Sequence, residues 1–82
     1  MAMTLSREEI LHLLDQMIEH QQKKVLEIAR RFVPGITPED ARNPEDFEEL
    51  KASHIFNFED GILSGYISAK TALVAEMRMK ED

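Results

Sequence analysis

The chain has 82 residues, a net charge of −6 and no Cys. That length allows one domain, and a domain this small usually needs a disulfide, a metal or a second copy to complete its core; with no Cys the disulfide is excluded. The acidic balance disfavours a phosphate-tracking or anionic-membrane surface, so neither nucleic acid nor membrane is an expected partner.

The charge is unevenly placed. Residues 6–33 carry five acids and five bases, and the remainder holds the whole excess of acid. The opening Met1-Ala2-Met3-Thr4-Leu5 has no basic stretch leading into an apolar run, so no signal peptide is expected. The low-charge stretch from Gly61 to Ala75 is too short to span a bilayer and contains Lys70. A cytoplasmic location is the expectation, in keeping with the lack of Cys.

The first helix is expected over about residues 6–33. Ser6 and Glu9 form an S-x-x-E capping box, in which each side chain satisfies a backbone N–H of the other. Leu11, Leu14, Ile18, Val25, Ile28 and Phe32 then recur in steps of three and four, with Gln21 filling the one gap. Together with neighbouring apolar residues they make an apolar arc of roughly 220°. Acids lead the helix and bases close it, complementing its dipole. Val33-Pro34-Gly35 ends it.

A loop is expected over 34–43. It contains Thr37-Pro38-Glu39-Asp40, and Asn43-Pro44-Glu45-Asp46 follows six residues later. Each places an N-cap residue before a Pro and two acids, a helix-start signal. The first predicts a single helical turn. The second predicts the start of a long helix running to about residue 79, with a bend where Asn57-Phe58-Glu59-Asp60-Gly61 resembles a fresh N-terminus.

Past that point the second helix is apolar over roughly 240° of its circumference. Phe58, Ile62, Tyr66 and Leu73 are among its large side chains, and Gly61, Gly65, Ala69 and Ala72 form an adjacent stripe of small ones. Gly in a helix interior costs about 1 kcal/mol relative to Ala, so the stripe implies a compensating close approach by another helix. Two antiparallel helices cannot cover both arcs. The expected fold is therefore all-α: a two-helix antiparallel hairpin that pairs with itself into a four-helix bundle. The interface residues expected are Leu11, Leu14, Ile18, Val25, Ile28 and Phe32 on the first helix, and Phe58, Ile62, Gly65, Tyr66, Ala69, Ala72 and Leu73 on the second.

One polar layer is expected inside. Folding the second helix back from the loop brings roughly His54 to Phe58 opposite Gln21, so Gln21, His54 and Asn57 are the candidates for a shared hydrogen-bond layer or a ligand contact. A metal site is not expected. His12, Asp15, Glu19 and His20 lie on or beside the solvated face of the first helix, and the paired Glu-x-x-His motifs of di-iron bundles are missing. No nucleophile stands beside a base, and no Gly-rich phosphate loop appears. The residues point away from an enzyme and from any cofactor. They suggest a small interaction, regulatory or adaptor protein that acts as a helical homo-oligomer, with itself and another protein as partners. The alternative is a bundle that binds a small ligand or metal, with or without catalysis, near His54 or the Gly61/Gly65/Ala69 stripe.

Overall fold

The computed structural model describes residues 4–80; the first three residues of the opening stretch lie outside that range. The secondary structure of the described residues is all helical: α1 (Arg7–Phe32), α2 (Pro38–Ala41), a 3-10 turn (Pro44–Asp46), α3 (Glu48–Lys51) and α4 (His54–Lys80). The two long helices α1 and α4 pack side by side as an antiparallel hairpin.

The local signals act where the sequence places them. Ser6 Oγ accepts from the Glu9 N–H at 3.1 Å, and Glu9 Oε1 accepts from the Ser6 N–H at 3.0 Å. Thr37 and Asp40 repeat the arrangement around Pro38, giving the expected single turn. Gly35 takes φ 87°, the left-handed conformation that lets the chain leave α1 sharply.

The second long helix departs from expectation at its start. It begins at His54 rather than near Pro44, and it runs unbroken past Asn57 and Gly61 to Lys80. Residues 44–53 instead form the 3-10 turn and α3, separated by Phe47 in an extended conformation. The cause is packing. Leu50 and Phe56 are both fully buried in one core. On a straight helix, residues six apart point about 120° from each other, so a single helix would not turn both squarely into it. The chain turns at Ala52-Ser53 and brings both inward. Ser53 then caps α4, its hydroxyl accepting from the Phe56 N–H at 3.1 Å.

The core sits at the loop end. Val25, Ile28 and Ala29 of α1 pack with Ile36, Ala41, Leu50 and Phe56. The other end is thinner. No described residue of α1 before Gln21 is buried, and none of α4 after Glu59. The molecule is thus a packed head bearing a two-helix arm. Its radius of gyration is 16.0 Å and its extents are 49 × 27 × 20 Å, whereas a compact domain of this length has a radius of about 12 Å.

Candidate functional site

The face of α4 turned to α1 follows Phe56, Glu59, Leu63, Tyr66, Lys70 and Met77, in steps of three, four and seven. Two members are charged, and α1 answers both. Gln21 donates from Nε2 to the Glu59 backbone oxygen at 2.9 Å and to Glu59 Oε1 at 2.8 Å. Lys24 Nζ lies 3.2 Å from Glu59 Oε2. Further along the arm, Lys70 bonds Asp15. The polar layer at Gln21 therefore exists, but its partner is Glu59, not His54 or Asn57.

Those two residues lie elsewhere. His54 is exposed at the start of α4. Asn57 works at the corner between α3 and α4, where its Nδ2 donates to the carbonyls of Leu50, Lys51 and Ser53 at 3.4, 3.0 and 2.8 Å. The Leu50 and Ser53 oxygens also accept backbone N–H groups, from Ser53 and Asn57, so the side chain reinforces a corner that the backbone already closes. The expected layer missed because residues 44–53 fold on themselves, which moves α4 along α1. Among the described residues, no buried side-chain nitrogen or oxygen lacks a hydrogen-bond partner, and no three His, Asp or Glu side chains gather as a metal site would need.

The hydrogen bond from Gln21, helped by Lys24, holds the Glu59 carboxyl below its ordinary value, although burial opposes the shift. Next to it, burial raises the Asp60 carboxyl above its ordinary value. The two neighbours should therefore bend the stability–pH profile in opposite directions. Glu59 stabilises the fold above its unfolded pKa, and that contribution is lost as pH falls through the lower folded value. Asp60 favours the fold below its unfolded pKa, and that contribution is lost as pH rises through the higher folded value. Asp60→Asn should therefore raise the melting temperature at pH 7 and change little at pH 3. Glu59→Gln should lower it at pH 7 and change little at pH 3. Thermal melts at the two pH values check both signs, and an Asp60→Asn gain that is equal at pH 3 and pH 7 would contradict the assignment.

Two depressions lie on one side of the hairpin. Leu26, Pro38, Ala41, Asp60 and Leu63 line a cleft of about 260 Å³ near the head. Asp15, Ile18, Ile67, Lys70, Val74 and Arg78 line a shallow groove of about 490 Å³ along the arm. The first is below the ~300–1,000 Å³ usual for small-molecule sites. The second is crossed by the Asp15–Lys70 ion pair.

The opposite side is apolar and open. Of the residues expected at an interface, Val25 and Ile28 are consumed in the hairpin's own core, while Leu11, Leu14, Ile18, Ile62 and Tyr66 are half-buried along the arm. Phe32, Phe58, Gly65, Ala69, Ala72 and Leu73 are exposed. A Cβ built at Gly61 or Gly65 meets nothing within 4 Å, so α1 is not the helix that comes close to the small-residue stripe. Turning each helix by about 100° per residue from the Gln21–Glu59 contact puts Leu13 and Met17 of α1 on the same side as this α4 surface. Comparison with known protein families, curated proteins and solved structures finds no match for this chain.

Proposed function

We propose that the protein is a small interaction module whose working form is a homodimer, two hairpins joined through the open face of α4 into a four-helix bundle. The observation that carries this reading is the exposed apolar surface on that face: Ile55 is 48% exposed, Phe58 67% and Leu73 40%, with Leu13 of α1, 50% exposed, toward the Leu73 end. A contiguous patch of this kind on a small acidic protein is a protein-contact surface. The thin arm supports the same conclusion, since two helices with no buried residue between them gain little from their own packing. Pairing covers the patch and leaves the acids of the connecting segment, Glu39, Asp40, Glu45, Asp46, Glu48 and Glu49, outward. That surface is what the dimer would offer a second protein in an adaptor or regulatory role. A cytoplasmic setting belongs to the proposal, supported by the Cys-free composition.

Light scattering after size exclusion tests the reading. The expected mass at tens of micromolar is about twice the 9.5 kDa of the chain. A folded, soluble monomer at that concentration overturns it.

A further inference from the structure

The open face of α4 has an internal order that specifies how two copies meet. Ile55, Phe58, Ile62, Gly65, Ala69 and Ala72 follow one another in strict steps of three and four, the spacing of a helix–helix seam. The first three are large and the last three are small. From this we infer that α4 pairs antiparallel with α4 of a second copy about a two-fold axis midway between Ile62 and Gly65. This rests on the homodimer reading above and adds its orientation and register.

In that register every layer joins a large residue to a small one. Ile62 of one copy lies opposite Gly65 of the other, Phe58 opposite Ala69, and Ile55 opposite Ala72. Symmetry then supplies the same three layers in reverse, as an isologous interface requires. The open space at Gly65 receives Ile62 of the second copy. One step of four past Ala72 stands Glu76, the first charge on the row. Parallel pairing does the reverse. It stacks Phe58 on Phe58, leaves a void where Gly65 meets Gly65, and sets Glu76 against Glu76.

The charge-free row runs about 25 Å along the helix axis, flanked on α1 by Leu13 and Met17.

The absence of Cys makes the test clean. Ile55→Cys and Ala72→Cys are made separately, mixed, and treated with a short thiol-bridging reagent. The expected result is a bridged heterodimer from the mixture and no bridged dimer from either variant alone, since each position lies about 25 Å along the helix axis from its own copy. A self-bridged Ile55→Cys dimer means parallel pairing and overturns the inference. A dimeric protein that bridges in no combination overturns the register and leaves the homodimer standing. A monomer by light scattering overturns both.

A second variant reads the central layer without a bridge. Gly65→Leu should raise the dimer dissociation constant at least tenfold while helix content holds or rises, and adding Ile62→Ala should recover most of the loss. Ser64→Leu, on the polar side of α4, should leave dimerisation unchanged. A Gly65→Leu dimer as tight as the parent overturns the inference.

Discussion

Phe56→Ala should leave the head unable to hold its fold at 37 °C. The side chain is fully buried, and removing such a ring typically costs about 3–5 kcal/mol. Small domains have a total stability of about 5–15 kcal/mol, and this one has a short core to draw on. The loss falls on two structures together, because Phe56 packs on α1 and its N–H receives the Ser53 cap. The control is Phe58→Ala, two residues along and 67% exposed. Its loss should depend on protein concentration and fade as association is driven by mass action, whereas the Phe56→Ala loss should persist at every concentration. Urea melts followed by circular dichroism at several concentrations separate the two. Equal, concentration-independent losses would show that the core is not where the structure puts it.

Gln21→Ala should give the next largest effect. It removes both bonds from Nε2 to Glu59 and leaves an ionised carboxylate in the hairpin seam with Lys24 alone. Hydrogen bonds to charged groups are worth about 1.5–3 kcal/mol, so a fall in melting temperature of roughly 10 °C is expected for a domain of this size. Replacing the pair together, Gln21→Leu with Glu59→Leu, should recover the loss or exceed the parent, because well-packed apolar residues often substitute for a buried polar pair without penalty. A double-mutant cycle measures the coupling. Losses that simply add would mean that Gln21 and Glu59 do not act as a unit.

The parts legible in the sequence are those decided within a few residues. The Ser6/Glu9 and Thr37/Asp40 boxes span three positions each and close within them, whereas the similar Asn43-Pro44-Glu45-Asp46 signal yields only a 3-10 turn with no side-chain cap. The stop at Val33-Pro34-Gly35 is equally local. The start of α4 was not legible in this way. Residues 45–52 suit a helix well, and only the competition of Leu50 and Phe56 for one core turns the chain at Ser53. That competition is tertiary. Ser53 itself was a usable sign, being an N-cap residue where the two apolar rows cease to agree in phase.

The polar layer shows the same division. Gln21 stands out as the polar break in an apolar row. Its partner depends on how far the connecting segment advances α4, which no local pattern states. Tracing the inner row of α4 from Phe56 would have found it, because Glu59 and Lys70 are the charged residues on that row. The small-residue stripe was legible as a stripe, yet α1 does not approach its glycines.

The uneven distribution of burial along the hairpin also sets how the molecule opens. The head holds every buried residue described, and the arm beyond Gln21 and Glu59 holds none. Amide protons near Ile28 and Phe56 must wait for global unfolding before they exchange with solvent. Those near Leu11 and Val74 need only a separation of the arm, at a much smaller free energy. In a lone chain the arm should therefore be the first part to separate and the first that a protease reaches, while the head holds. Anything that covers the arm should slow both.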